Sequence, residues 1–298
     1  MCCWRKGATS APASSPSIEG LVRERAPMTV DDAKLRDEEA AVRAAARDLD
    51  YDRYLAALLA PQSARNALMA IAAFHGEIAR IPVTVREPVM VEIRLQWWRE
   101  ALADRSAQEA TGAPLADWLR RAIAAGLLPE QELASIIDAY AQLLHPGALH
   151  DAGAVDAFAD ASQGAAFRLA ARPLGNAETP ASAALIAAAA RAYGRVQLLR
   201  ALPPLLSKGR NPLSDGATVD WDATLGPLLA DTRACLTQAR RSMALAPATM
   251  PAVLPAALVE PYLAALEGLG PNIACEQATI SPLSRVWRIL QARWRGRF

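Results

Sequence analysis

Cysteine, histidine, lysine and aromatic side chains are all scarce in this chain of 298 residues. Its four cysteines (Cys2, Cys3, Cys235, Cys275) form no C-x-x-C pair, and its histidines are His75, His145 and His150 only. Ligands so few and so spaced argue against a structural zinc site or a disulfide framework, and make a reducing compartment the default. Lys6, Lys34 and Lys208 are the only lysines. The 32 basic residues stand against 31 acidic ones, a net charge of +1, without the basic excess of a nucleic-acid binder. Aromatics make up 5% and β-branched residues are few, whereas alanine supplies roughly a fifth of the chain; that mixture favours helix over sheet. No apolar run approaches the roughly 20 residues of a membrane-spanning helix. The best, AALIAAAA at 183–190, is far too short, and the uncharged stretch 242–259 is broken by Pro247, Pro251 and Pro255. What remains, 52% hydrophobic and 21% charged residues, is the composition of a folded protein with a sizeable core.

Residues 1–27 are rich in Ser, Pro, Ala and Gly, show no apolar periodicity and lack the apolar centre of a signal peptide. They read as a disordered extension, with Met28 as the natural start and one domain over 28–298. From Asp31 onward the pattern is helix after helix, over 31–48, 51–60, 62–80, 88–104, 113–125, 129–145, 152–172, 180–202, 223–245, 252–268 and 282–295. Pro61, Pro82, Pro88, Pro129, Pro146, Pro180, Pro247 and Pro251 fall at or near the breaks, as suits a residue that disfavours helix interiors. In the fourth span, Val91, Leu95, Trp98 and Leu102 recur at helical spacing with Ile93, Trp97 and Ala101 beside them. Glu92, Gln96 and Arg99 form the polar stripe opposite. This predicts a helix buried over a wide face.

Several runs carry a resemblance. RYLAALLAP (53–61), ARNALMAIAAFHGEIARI (64–81) and EPVMVEIRLQWWREAL (87–102) resemble the opening helices of the squalene/phytoene synthase family. IIDAYAQLL (136–144), FRLAARPLG (167–175) and YGRVQLLRALPPLLSKGR (193–210) are similar to its later ones. The resemblance implies an all-α isoprenoid-synthase-type helical bundle around a central apolar cavity. Active members of the family join two prenyl diphosphates head to head, and diphosphate departs with the help of Mg²⁺ held by aspartate pairs on two facing helices. Carboxylates four residues apart project from one helical face. In this chain the matching positions are Ala79, Arg80 and Val83, with Glu77 half a turn earlier, and then Ala201 and Leu205. No aspartate occurs between Arg53 and Ala103, and no acid at all between Thr179 and Ser214.

Two explanations compete. One is a non-catalytic member with no catalytic residue, metal or cofactor, an isoprenoid- or lipid-binding protein or an assembly factor of the respiratory complex I type, a branch that LQWWREAL resembles more than the true synthases. The other is a working prenyltransferase that makes a squalene- or phytoene-like product, either with Mg²⁺ or by holding diphosphate through Arg191 and Arg195, since guanidinium groups suit phosphate. The cavity candidates are Tyr54, His75, Glu77, Arg80, Gln96, Arg191, Arg195, Arg200 and Arg210. His75 shares a helical stripe with Leu68, Ile71 and Ile78 and should point inward, as a core histidine or a general acid/base. Asp50 and Asp52 read as caps of the next helix or as a distal carboxylate pair.

The tail, SPLSRVWRILQARWRGRF (281–298), sets Leu283, Val286, Trp287, Leu290 and Trp294 on one side of a helix and brings five arginines with no acid. Such a helix suits an interface with anionic lipid, with Trp287, Arg288, Trp294 and Arg295 as the expected membrane contacts. The expected setting is cytoplasmic and peripheral to the inner membrane, with complex I subunits as candidate partners and no nucleic acid.

Overall fold

The computed structural model describes residues 30–104, 111–176, 178–216 and 220–298, and among them are twelve α-helices. The predicted extension 1–27 and the start at Met28 lie outside the described residues. The chain divides into residues 1–36 and 37–298; of the first, only the beginning of a helix is described, and the second is the subject below. The helices are α1 (Val30–Leu49), α2 (Tyr51–Leu58), α3 (Gln62–Thr84), α4 (Pro88–Ala103), α5 (Pro114–Ala124) and α6 (Glu130–Ala141). They continue as α7 (Ala152–Ala159), α8 (Ala165–Ala171), α9 (Pro180–Leu206), α10 (Trp221–Met243), α11 (Val259–Leu269) and α12 (Pro282–Arg295). No strand occurs among the described residues.

Helices α3 and α9 form the centre because their sequences leave them no exposed apolar stripe. The run Ala70–Phe74 is wholly buried, as are Ile78 and Ile81. In α9, Leu185, Ala189, Ala190, Ala192, Val196 and Leu202 are equally buried. A helix apolar on most sides must lie inside. Helix α9 packs on α10, α7, α11 and α3, while α4 lies on α3, α5 and α6, and α12 on α2 and the 3₁₀ turns at Leu254–Leu258. Two glycines permit the closest approaches. A Cβ on Gly194 would stand 2.6 Å from the Ala159 Cβ, and one on Gly76 would stand 2.7–2.9 Å from the Leu49 Cβ, carbonyl carbon and oxygen. Gly76 thus lets α3 touch the end of α1, and this contact sets the α1–α2 junction against His75.

Three departures from the expected spans have physical causes. Helix α3 runs past Pro82 to Thr84 even though the proline forfeits one i−4 bond, because Arg210 binds the carbonyls that the last turn leaves unpaired. Its guanidinium donates to the carbonyls of Pro82 (2.6 Å), Val85 (2.8 Å) and Arg86 (2.6 Å). Helix α9 likewise continues through Pro203 and Pro204, with Ser207 N and Oγ bonded to their carbonyls. The span 152–172 is interrupted by a π-helical turn at Asp160–Gly164 between α7 and α8. The α4 face is also narrower than expected. Val91, Leu95, Trp98 and Leu102 are buried, with Trp98 edge-on to Phe74, but Ile93 and Trp97 remain exposed because the helix is covered on one side only.

Replacing Gly76 with Ala forces its Cβ into Leu49 backbone and is expected to destabilise the fold by about 2–3 kcal/mol. Gly268→Ala, on the exposed face of α11 with nothing near its Cβ, should stabilise by up to about 1 kcal/mol. Urea unfolding of the two variants checks both signs.

Candidate functional site

A cavity of about 350 Å³ opens between α3, α9 and the α1–α2 junction. Its upper walls are partly apolar, with Ala79 and Val83 from α3 and Leu198, Ala201 and Pro204 from α9. Its floor is far more polar than the sequence suggests, because the α1–α2 junction delivers charge to it.

Asp50 caps α2 by accepting from Arg53 N at 3.0 Å through Oδ1, and its Oδ2 accepts from Arg53 Nη1 at 2.8 Å. The same Oδ2 lies 3.1 Å from His75 Nδ1. The carboxylate can only accept, so Nδ1 donates and Nε2 is left to accept, with Gln163 Nε2 at 3.0 Å and the Tyr140 hydroxyl at 3.2 Å. Gln163 Oε1 in turn accepts from Arg53 Nη2. The guanidinium of Arg53 also lies over the rings of Phe167 (5.3 Å) and Tyr193 (5.5 Å). Gln163 belongs to the π-helical turn, which aims it into this cluster.

A second cluster adjoins the first. Asp52 is 5% exposed and accepts from the Tyr193 and Tyr262 hydroxyls, both at 3.0 Å. Arg285 Nε from α12 stands 3.6 Å from its other oxygen. Arg200 lies 4.0 Å over the Tyr262 ring and is held by the Ala278 carbonyl (2.9 Å) and Gln197 Oε1 (2.6 Å).

These surroundings pull the ionisable groups apart. Burial alone would raise the Asp50 pKa, but Arg53 and His75 hold it well below the usual carboxylate range. Burial and the neighbouring Asp50 push Asp52 up, against Arg285 and Arg200. Burial, helped by Arg53, lowers His75 to about 4, so the imidazole is neutral at pH 7. Burial also raises Tyr140, Tyr193 and Tyr262, which stay as hydroxyl donors. The floor is therefore a network bonded within itself, with only Arg53 Nε and Arg285 Nε left without a hydrogen bond, rather than a set of free acids and bases.

The donor set does not fit a magnesium–diphosphate group. Across the cavity, α3 presents Ala79, Arg80 and Val83, and α9 presents Gln197, Arg200, Ala201 and Pro204; none is a carboxylate. The cavity's carboxylates, Asp48, Asp50 and Asp52, all come from one junction rather than from facing helices. The oxygens of Asp50 and Asp52 are taken by arginine, histidine and tyrosines, and Asp48 is exposed. Among the described residues, no three His, Cys, Asp or Glu are grouped to hold a metal ion.

A model of the squalene/phytoene synthase family matches residues 46–289. The chain belongs to that family. Solved structures with the same fold include a dehydrosqualene synthase in complex with ligand, at a TM-score of 0.66 and 11% identity over 88% of this chain and 98% of the other. Squalene synthase HpnC from Alicyclobacillus acidocaldarius matches at 0.60 and 16%, over 89% and 97%. Curated relatives include "NADH dehydrogenase (ubiquinone) complex I, assembly factor 6" of Mus musculus and of Bos taurus, each 29% identical over 157 residues. That match covers 53% of this chain and 47% of the relative, so the chain spans about half the length of the curated relatives it matches.

Of the candidates drawn from sequence, the cavity takes His75, Arg80 and Arg200. Glu77 sits just outside it, bonded to Arg80 at 2.7 Å. Tyr54 is half-buried beside Tyr51, which does line the cavity, with ring centroids 6.0 Å apart. Gln96 is exposed on α4, bonded to Glu100. Arg191 and Arg195 cannot serve the cavity: they sit two positions before Tyr193 and Gln197, about 200° round the helix. Arg195 instead pairs with Asp156 of α7 at 2.5 Å and donates to Cys235 Sγ of α10 at 3.1 Å, while Arg191 lies 3.7 Å from the same Asp156. Arg210 is the cap of α3. Sequence reading missed Arg53, Tyr140, Gln163, Tyr193, Tyr262 and Arg285 as site residues. The available signal for Arg285 was its place four and seven residues before Ile289 and Ala292, the buried face of α12.

His75 generates a pH prediction. Its folded pKa lies below the ordinary 6.5, so the unfolded chain binds its proton first and stability falls as pH drops from about 6.5 to 4. Relative to His75→Gln, the parent protein should lose on the order of 3 kcal/mol across that window, measured by urea unfolding at each pH. A constant difference between the two would contradict the buried neutral imidazole.

Proposed function

We propose that this chain is a squalene/phytoene-synthase-family protein that keeps the family's cavity without its metal chemistry, and that it acts in the assembly of respiratory complex I at a membrane. The observation that carries this reading is the pair of facing surfaces on α3 and α9. Where a synthase of the family would need carboxylates for Mg²⁺, they offer Ala79, Arg80, Val83 and Ala201. Support for the assembly role comes from the matching relatives, which are named as complex I assembly factor 6. An isoprenoid- or lipid-like molecule is the class of ligand that the cavity would take, with Arg80, Arg200 and Arg285 facing its polar end. No catalytic residue and no cofactor is assigned under this reading.

The setting proposed is the cytoplasmic face of the inner membrane, reached peripherally. None of the described helices is long and apolar enough to cross a bilayer, and α12 carries the contact residues Trp287, Arg288, Trp294 and Arg295.

Purified protein given farnesyl or geranylgeranyl diphosphate with Mg²⁺ is expected to release no diphosphate above the protein-free rate. A strain lacking the gene is expected to retain its isoprenoids and to lose assembled complex I. Turnover that disappears on mutating the cavity would overturn the proposal in favour of an active prenyltransferase. So would a deletion that depletes isoprenoids and spares complex I.

A further inference from the structure

Helix α12 presents three faces, and only one of them is used by the fold. Ile289 and Ala292 are buried, and Arg285 enters the cavity on the same side. A second face is apolar and uncovered: Leu283 is 79% exposed, Trp287 61%, Leu290 44% and Trp294 89%. These four residues recur at i, i+4, i+7 and i+11, a continuous stripe along the whole helix. The third face, one position further round, carries Arg288, Gln291 and Arg295.

That third face closes a cleft of about 250 Å³ with Arg240 of α10, Ala257, Glu260 of α11 and the chain's last residues, Arg297 and Phe298. Gly296 builds it. The residue takes φ +65°, the left-handed conformation that glycine adopts freely, and caps α12 through its N–H to the Ala292 carbonyl. The following N–H, of Arg297, bonds to the same carbonyl, which folds the tail back over the arginine face. Four guanidinium groups therefore surround one side-chain carboxylate. Glu260 is bonded to Arg240 at 2.8 Å and lies 3.8 Å from Arg288. Arg240 Nε is taken by a main-chain carboxylate oxygen of Phe298 at 2.8 Å. With the Gln291 amide turned so that its oxygen faces Arg295, it accepts from that guanidinium at 3.0 and 3.2 Å. The Arg297 guanidinium has no ion pair among the described residues. The cleft is left with an excess of positive charge, four guanidinium groups against Glu260 and the Phe298 main-chain carboxylate.

We infer that this cleft is a binding site for the phosphate of an anionic phospholipid, with α12 lying in the bilayer interface. A phosphate suits converging guanidinium groups, which donate in planar pairs. The stripe Leu283–Trp287–Leu290–Trp294 enters the acyl boundary beside it, so one helix supplies both the apolar and the electrostatic parts of the contact. The occupant is a lipid and not a soluble phosphate ester because the charged cleft and the uncovered apolar stripe are adjacent faces of one helix. Only an amphiphile satisfies both. The inference rests on the membrane setting proposed above and adds to it the headgroup class and the residues that read it.

Flotation of the full chain with vesicles tests it separately from any assay of catalysis or complex I. The protein should float with phosphatidylcholine vesicles containing phosphatidylglycerol, far less with phosphatidylcholine alone, and less as salt rises. The triple variant R288Q/R295Q/R297Q, altered only at exposed side chains, should lose about a hundredfold in binding to the anionic vesicles. The variant W287S/W294S should lose binding to both kinds of vesicle. Circular dichroism should match the parent for each. Equal flotation with neutral and anionic vesicles, or an unchanged triple variant, would overturn the headgroup site. Release of the protein by inorganic phosphate, beyond that caused by chloride at equal ionic strength, would reassign the cleft to a soluble phosphate. Absence of flotation altogether would reject the lipid and leave the complex I reading to its own test.

Discussion

The buried pair of Asp50 and Arg53 is the interaction on which the site depends. Two charges inside a helical bundle carry a desolvation penalty of several kcal/mol each, and mutual attraction offsets it only when the remaining donors and acceptors are satisfied. Here they nearly all are. Asp50 caps α2 and takes His75, while Arg53 reaches Gln163 and lies over two aromatic rings. The pair therefore dictates its neighbourhood. It requires the close passage of α3 at Gly76, a neutral His75 of one tautomer, and the π-helical turn that turns Gln163 inward. Removing one member of such a pair typically costs about 3–5 kcal/mol, because the partner is left charged and buried.

The same arrangement constrains function. Of the carboxylates that reach the cavity, Asp50 and Asp52 are committed to its floor and Asp48 stands exposed at the same junction, while the helices that face each other above carry alanine, valine, proline and arginine. A cavity built this way can hold a molecule and orient its polar end toward guanidinium groups. It lacks the pairs of opposed carboxylates that would draw a metal ion against a leaving diphosphate. Under the proposed reading, family membership and chemistry are separable in this chain, because a fold can be kept around a different set of polar residues.

Much of this was legible in the sequence, and the pattern of success has a physical cause. The eleven predicted spans all correspond to observed helices, because alanine-rich, proline-punctuated segments state their periodicity locally. The family resemblance places Ala79, Arg80, Val83, Ala201 and Leu205; the first four line the cavity, whereas Leu205 is buried in the core and Pro204 lines the cavity beside it. The floor was hidden. Asp50 and Asp52 have the signature of a helix cap, which Asp50 is, and nothing local distinguishes a solvated cap from one buried against a histidine 25 residues away. Gln163 lies in a π-helical turn, where a 3.6-residue period assigns side chains to the wrong face. Arg191 and Arg195 misled for a related reason: arginines in an acid-free stretch look available, yet their partners, Asp156 and Cys235, come from other helices.

The central claim is that the cavity is not a magnesium–diphosphate site. Calorimetric titration of the purified full chain with geranylgeranyl diphosphate, in the presence and absence of Mg²⁺, tests it most directly. The account predicts that any binding is no tighter with the metal than without it. Saturable binding that requires Mg²⁺ and is lost on Asp52→Asn would contradict it, and would show that the junction carboxylates do the work of the aspartates that α3 and α9 lack.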